Sequence, residues 1–227
     1  MHYTKSQLLT EIEKARHNMQ LFYTEEFINY KGRTRDTDEY YTEVVCEWLL
    51  QNIERLNEIP TITRKKGYFT ATHSGTIKNP NSNRSEELIA LKMFQQSHIP
   101  GLGKIIDYQT PLKNKAADSV GKIDLLSYDG KTLRILELKK PDTEETMLRC
   151  VIEAYTYWKT ADKATLIKSF DLPLDTTVKA NPFVFVDSNP YNEMTQDRPK
   201  LKKLIETLDC KPLYIKKLNG KYIVTED

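Results

Sequence analysis

The sequence predicts an α/β or α+β domain built on a mixed sheet, preceded by a helical N-terminal layer. Three observations carry this expectation: two N-terminal segments with helical periodicity, a hairpin within residues 121–142, and a late strand, helix and hairpin in succession. With 227 residues, 39% of them hydrophobic and 29% charged, the chain can bury a sizeable core. Composition is therefore typical of a globular protein and not of a disordered one.

Apolar residues recur at helical spacing in residues 5–23 and 38–57, which predicts two helices. The stretch from Gly67 to Ser85 is rich in Gly, Asn, Ser and Thr and predicts a loop. Ser85 is a candidate N-cap for a helix from residue 86 to about residue 97. We therefore expect an N-terminal helical region over residues 1–80 and a second domain over residues 81–227.

The second half of the chain alternates strand and helix patterns. Strands are predicted at 104–110 and 182–187, and helices at 144–159 and 199–208. The last 16 residues predict a hairpin that turns at Asn219-Gly220, because a two-residue type I′ turn needs positive φ at both central residues.

The central hairpin, GKIDLLSYDGKTLRILELKKPD, places acids in an apolar pattern. If Asp129-Gly130 forms a two-residue loop, Asp124 faces Ile135 and is the diagonal neighbour of Glu137. Lys139 then follows Glu137 on the same face. The strand carrying Glu137 is apolar on both faces along most of its length, so we expect it to be covered on both sides.

Two carboxylates at diagonal positions, roughly 7 to 8 Å apart at the backbone, can converge on one cation. A hard ion such as Mg²⁺ keeps several waters, and a metal-bound water can attack a phosphodiester. Lys139 could orient that water or neutralise charge in the transition state. The alternative is an edge hairpin whose charges face solvent. The other face of the strand that carries Glu137 is apolar, which favours the metal interpretation.

Ile123-Asp124, twelve intervening residues and Glu137-Leu138-Lys139 resemble the motif of the PD-(D/E)XK nuclease superfamily, especially its RecB-like and NucS-type branches. This resemblance implies a restriction-endonuclease-like mixed sheet flanked by helices and a metal-dependent deoxyribonuclease that hydrolyses phosphodiester bonds. It further implies that Asp124, Glu137 and the Leu138 carbonyl bind Mg²⁺, with Mn²⁺ able to substitute. Lys139 would be the catalytic lysine of the motif.

Members of the superfamily often add an acid from the preceding helix, and Glu87 is the candidate catalytic and metal-binding residue here. It shares a helix face with Ala90, Leu91 and Phe94. Glu86 is the rival, and both acids could instead simply favour the positive helix N-terminus.

The related branches also place a Gln and a Tyr four residues apart on the helix after the lysine. This sequence departs from that pattern, because Glu153 and Tyr157 have the spacing but no Gln is present. The apolar stripe of that helix is expected to face the core, which would turn Arg149 and Glu153 away from the core. A solvated Arg149-Glu153 pair is therefore the alternative to a role in the site. The stripe comprises Met147, Leu148, Val151, Tyr155 and Trp158.

Nucleic acid, with DNA favoured, is the expected partner. The net charge is only +2, but two basic clusters are present: Arg64-Lys65-Lys66 beside Tyr68 and Phe69, and residues 198–221 with eight basic residues against two acids. Cations and aromatics suit phosphate contacts and base stacking, although such clusters can also be plain solvated surface.

No apolar run approaches the ~18 residues of a membrane span, so we expect no membrane partner. Three distant cysteines support neither a disulfide framework nor a zinc site, which favours a reducing cytoplasm. The sequence leaves open whether the chain forms a homodimer. The alternative function is a catalytically inactive nuclease fold that binds nucleic acid or a protein partner.

Overall fold

The computed structural model describes residues 3–71, 73–76, 84–114 and 120–225. Within these ranges the chain is a mixed α+β structure around a seven-stranded mixed sheet, which confirms the predicted class at that level. The predicted boundary between residues 80 and 81 and much of the predicted loop before Ser85 lie outside the described residues.

The described helices and strands follow in chain order. The α-helices are α1 (Lys5–Ala15), α2 (Tyr41–Gln51), α3 (Ser85–Gln96), α4 (Met147–Thr160), α5 (Lys163–Ser169), α6 (Asn189–Met194) and α7 (Pro199–Thr207). The strands are β1 (His98–Ile99), β2 (Gly103–Pro111), β3 (Lys122–Tyr128), β4 (Thr132–Leu138), β5 (Thr177–Phe185), β6 (Leu213–Leu218) and β7 (Lys221–Thr225). Short 3₁₀ helices span Phe22–Thr24, Glu26–Asn29 and Ile53–Glu58.

The strands lie side by side in chain order, from β1 to β7. β4 pairs parallel with β5 and β5 with β6, whereas the remaining neighbours are antiparallel. Each parallel step requires a crossover, supplied first by α4 and α5 and then by α6 and α7. The two ends of the sheet approach each other, since the Val224 N–H donates to the Pro100 carbonyl at 3.2 Å.

The strand that carries the central motif is covered on both faces, as predicted. Leu133 and Ile135 of β4 belong to the large core that includes α4 and the N-terminal region. Leu136 and Leu138, on the opposite face, belong to a second cluster with residues of α3. Charged groups at the end of β4 therefore meet protein, and not bulk water, on either side.

The β6–β7 hairpin turns as predicted. Asn219 and Gly220 have φ values of +49° and +81°, and Leu218 lies opposite Lys221. The β3–β4 register was predicted wrongly, because Tyr128 lies opposite Leu133 with four residues between them. Of the central residues only Gly130, at φ +98°, is left-handed.

The longer β3–β4 loop has a local cause. The Asp129 carboxylate accepts hydrogen bonds from the backbone N–H groups of Lys131 at 3.0 Å and Thr132 at 2.7 Å, and it also contacts the Arg134 guanidinium. Such side-chain bonds compete with a tight hairpin turn. Leu125 consequently lies opposite Leu136.

Several helix ends also differ from expectation. The first predicted helix stops at Ala15, and the second begins at Tyr41. Arg84 occupies the N-cap position of α3 in place of Ser85, and its side chain does not cap the helix. α4 begins at Met147 because the hydroxyl of Thr146 accepts the N–H of Arg149.

None of the helices within the described ranges is long and apolar enough to cross a membrane.

Candidate functional site

Asp124 lies near the start of β3, close to the end of β4. Its Oδ2 accepts the Leu138 N–H at 3.0 Å, and its Oδ1 accepts the Gln109 side-chain amide at 2.9 Å. Continued by one residue, the β3–β4 register brings Asp124 opposite Glu137, which is closer than the predicted diagonal position. Gln109 holds a left-handed φ of +50°, a strained conformation that costs of order 1–3 kcal/mol.

A cleft of about 410 Å³ opens in front of Asp124. Its walls come from the start of α3, from β2 and β3, and from the segment after β4, namely Arg84, Ser85, Glu86, Glu87, Gln109, Asp124 and Lys140. Glu86 accepts the Lys140 N–H at 3.1 Å, and Glu87 forms an ion pair with Arg84 at 3.1 Å. Both candidate acids of α3 therefore share a cleft with Asp124, and its volume falls in the range of small-molecule sites.

Glu137 and Lys139 lie behind the cleft in a buried ionic cluster. The Lys139 side chain is 5% exposed, and its ammonium lies 2.9 Å from Glu137, 2.9 Å from Glu145 and 2.8 Å from Glu153. The ammonium donates hydrogen bonds to Glu137 and Glu153, whereas Glu145 pairs with it by charge alone. The structure thus joins the predicted Glu137 and Lys139 to two acids that sequence reasoning did not place in the site.

A second residue of α4, Tyr157, holds the Glu153 side chain in place. The Tyr157 hydroxyl donates to Glu153 Oε1 at 3.1 Å, and the Tyr157 ring meets the edge of Tyr23 at 5.9 Å between centroids. Gly121 allows this arrangement, because a Cβ there would lie 2.3 Å from the Tyr157 hydroxyl oxygen. The glycine that opens the hairpin motif is therefore needed for a close approach.

The expectation that Glu153 turns away from the core was wrong. α4 is buried around most of its circumference, since β4 and β5 cover one side and the N-terminal 3₁₀ helices another. The prediction from an apolar stripe assumes that the opposite face of the helix is exposed to solvent, and α4 has no such face. Arg149 pairs with Glu145 at 3.3 Å and donates to the Tyr23 carbonyl, so a solvated Arg149-Glu153 pair is not formed. The four-residue spacing of Glu153 and Tyr157 was the usable signal.

Burial governs the electrostatics of the acids. Desolvation, reinforced by Glu86 and Glu153 and opposed by Lys139, raises the pKa of Asp124 to about 7. Burial and the neighbouring Glu153 raise the pKa of Glu137 well above its usual range. Burial alone would lower the pKa of Lys139, but Glu137 and Glu153 outweigh it and raise that pKa, so the lysine keeps its proton.

One observation on the described acidic residues speaks against a metal site, and another speaks for it. Among the described residues, no group of three or more His, Cys, Asp or Glu side chains is arranged to hold a metal ion. Glu137 Oε2, however, is buried and has no hydrogen-bond partner in the described part of the chain. Because Mg²⁺ often takes only one or two carboxylates and keeps its waters, Asp124 and Glu137 fit a hydrated cation.

The first basic cluster is partly structural. Arg64 donates to the backbone carbonyls of Pro111 at 2.6 Å and Lys113 at 2.5 Å, and the Tyr68 side chain is fully buried. Lys65, Lys66 and Phe69 remain exposed, with Phe69 at 68%.

The second basic cluster also loses members to the fold. Arg198 is buried with its guanidinium 3.2 Å from the centre of the Tyr40 ring, and Lys200 forms an ion pair with Glu47 at 3.1 Å. The exposed lysines of this cluster are Lys202, Lys203, Lys211, Lys216, Lys217 and Lys221.

The superfamily likeness rests on the motif residues and their geometry alone, since the chain matches no protein-family model, no curated protein and no solved structure.

Proposed function

We propose that this chain is a metal-dependent nuclease that hydrolyses DNA phosphodiester bonds on a restriction-endonuclease-like core. The observation that carries the proposal is the orphaned, buried carboxylate oxygen of Glu137 beside Asp124 at the end of the β3–β4 hairpin. A buried carboxylate without a partner is costly, and a divalent cation would satisfy it. The antiparallel hairpin followed by α4 and the parallel strand β5 supports the proposed core.

Asp124 and Glu137 would hold Mg²⁺, or Mn²⁺ in its place, with the Leu138 carbonyl and Glu87 or its neighbour Glu86 as the further candidates. When bound, such an ion activates a water and stabilises negative charge on the phosphate oxygens. The protein orients Asp124 through the Leu138 N–H and the Gln109 amide.

Lys139 acts in this scheme as a cation and hydrogen-bond donor. Its raised pKa keeps it protonated, so it does not serve as a base. To bring water or phosphate to its third N–H, the ammonium must separate from Glu145, with which it forms an ion pair but no hydrogen bond. Glu145 is the one expected to leave, because its side chain is 26% exposed, against 6% for Glu137 and 9% for Glu153.

The test is cleavage of linear, nicked, branched and single-stranded DNA, and of RNA, with Mg²⁺ or Mn²⁺. Glu137→Gln and Asp124→Asn preserve side-chain shape and remove the charge, and each should reduce the cleavage rate about 100-fold or more. Asp142→Asn is the matched control, because Asp142 follows the same hairpin with its side chain 81% exposed. Wild-type rates in both site variants would refute the proposal.

A second candidate is the same fold as a nucleic-acid-binding or partner-binding module without turnover. It is favoured by the three carboxylates within 2.9 Å of the Lys139 ammonium, which compete with a substrate phosphate for that cation. Nucleic-acid binding by the wild type, with no cleavage of any substrate in either metal, would select this candidate over the nuclease.

A further inference from the structure

An exposed aromatic ring lies beside the end of α5. Phe69 is 68% exposed, and Lys65 and Lys66 beside it are exposed too. Neither lysine forms an ion pair within the described ranges. The Phe69 and Phe170 rings meet in an edge-to-face arrangement with 6.5 Å between centroids, while the Phe69 ring stays open to solvent.

The backbone around this ring is firmly anchored. Arg64 is bound to the carbonyls of Gly67 and Pro111, and the Tyr68 N–H donates to the Ser169 hydroxyl at 2.9 Å. Gly67 has a φ of +59°, and a Cβ there would lie 2.9 Å from the same hydroxyl oxygen. Tyr68 is buried under these contacts, whereas the next residue, Phe69, is exposed.

The anchor also sets the position of this segment relative to the cleft. Arg64 binds the carbonyl of Pro111, which lies two residues beyond Gln109 on β2, or about 7 Å along the strand. Gln109 in turn holds Asp124. The segment that begins at Arg64 and carries Lys65, Lys66 and Phe69 is therefore anchored, through Arg64, at the end of the sheet that carries the cleft.

We propose that Lys65, Lys66 and Phe69 form a stacking platform for an unpaired stretch of DNA next to the cleft. An exposed aromatic ring stacks on the face of a base, which a duplex hides inside its own stack, whereas ammonium groups contact phosphates of either form. The ring therefore selects single-stranded DNA, and the lysines add affinity that depends on salt. This inference rests on the proposed function for the choice of nucleic acid as ligand.

The experiment measures binding without cleavage. The full chain in EDTA is titrated into fluorescently labelled oligo-dT of 20 nucleotides and into a 20-base-pair duplex, with anisotropy as the readout. Phe69→Ala should weaken oligo-dT binding about 5- to 100-fold and duplex binding less than about twofold. Phe69→Trp should retain the affinity of the wild type, because the larger ring still stacks.

The lysines are tested separately. The double variant Lys65→Gln, Lys66→Gln should weaken binding of both DNA forms and flatten the salt dependence for oligo-dT by about 1.4 in log–log slope. Leu218→Ala, which removes another exposed apolar side chain, and Lys216→Gln with Lys217→Gln in the β6–β7 hairpin are the matched controls. These controls should leave the preference for single strands unchanged.

The platform is refuted if Phe69→Ala lowers both affinities equally or changes neither, whether or not the chain cleaves DNA. Phe69-dependent binding by a chain that cleaves nothing would instead support the platform and refute the nuclease. Circular dichroism and urea unfolding of Phe69→Ala should match the wild type, since the ring is exposed.

Discussion

The buried half of the site, around Lys139, and the cleft half, around Asp124, differ in how negative charge is balanced. In the buried half, Glu137, Glu145 and Glu153 surround Lys139, each within 2.9 Å of its ammonium. In front, the Asp124 carboxylate has only the neutral donors Leu138 N–H and Gln109 among its described hydrogen bonds.

The nearest lysine on the cleft wall does not change this difference. Lys140 directs its ammonium toward Asp142, at 3.4 Å. The buried half therefore contains its own cation, whereas in the cleft half burial raises the pKa of Asp124 and a cation must come from outside. An added divalent ion is expected on the cleft side of Glu137.

The largest expected effect is on the buried half. Lys139→Met leaves the buried carboxylates of Glu137 and Glu153, and the partly exposed one of Glu145, around an apolar group and should lower the free energy of unfolding by about 3–5 kcal/mol. For a chain of this size the melting temperature should fall by roughly 6–20 °C. Lys140→Met, at a side chain 40% exposed, is the control and should change stability by less than about 0.5 kcal/mol. Equal stability of the two variants would show that the buried half does not depend on its lysine.

Gly121→Ala tests the packing behind Glu153. The added methyl group would lie 2.3 Å from the Tyr157 hydroxyl oxygen, and overpacking of this kind should cost about 1–3 kcal/mol in urea unfolding. Tyr157→Phe removes that oxygen, so the double variant should lose less stability than the sum of the single variants. Simple additivity would contradict the close contact.

Asp124→Asn tests the cleft half. Because the folded protein raises the pKa of Asp124 to about 7, it retains a proton that the unfolded chain loses near pH 4. Without a metal, this group makes stability fall as pH rises from about 4 to about 7. At pH 8 in EDTA, Asp124→Asn should therefore be about 1–2 kcal/mol more stable than the wild type.

Added Mg²⁺ should reverse that order. At pH 8 it should raise the melting temperature of the wild type and leave Asp124→Asn unchanged, because only the ionised carboxylate binds the cation. Thermal unfolding in EDTA and in Mg²⁺, at pH 5 and pH 8, measures both effects. A wild type more stable than Asp124→Asn in EDTA at pH 8 would remove the basis for placing the cation in the cleft.

The smallest effect is expected from Tyr157→Phe. The variant deletes one hydrogen bond to Glu153, of 3.1 Å, and should cost about 0.5–1.5 kcal/mol. Tyr155→Phe on the same helix is the control, since its half-buried ring packs beside Trp158. Urea unfolding of Tyr157→Phe and Tyr155→Phe measures the difference. Indistinguishable midpoints would mean that the hydrogen bond from Tyr157 to Glu153 does not contribute to stability.

Local patterns predicted much of the fold. The central and terminal hairpins, helices α4 and α7, the turn at Asn219-Gly220 and the burial of β4 on both faces follow from propensity and periodicity over short stretches, whereas β1, α5 and α6 were not predicted. The β3–β4 register could not be predicted in the same way. It depends on the Asp129 side chain bonding to Thr132 and contacting Arg134, a choice that the dipeptide Asp129-Gly130 does not reveal.

The sequence by itself determined the motif strand, its two apolar faces and the placement of Glu137 and Lys139 on one side of it, because a strand repeats every two residues. Only the tertiary structure decided which acids surround Lys139 and which basic residues remain exposed. Glu153 reaches Lys139 from another element, and Arg64 is bound to carbonyls 47 and 49 residues away. Contacts of that kind leave no local pattern, since they depend on how α4 and the N-terminal region pack against the sheet.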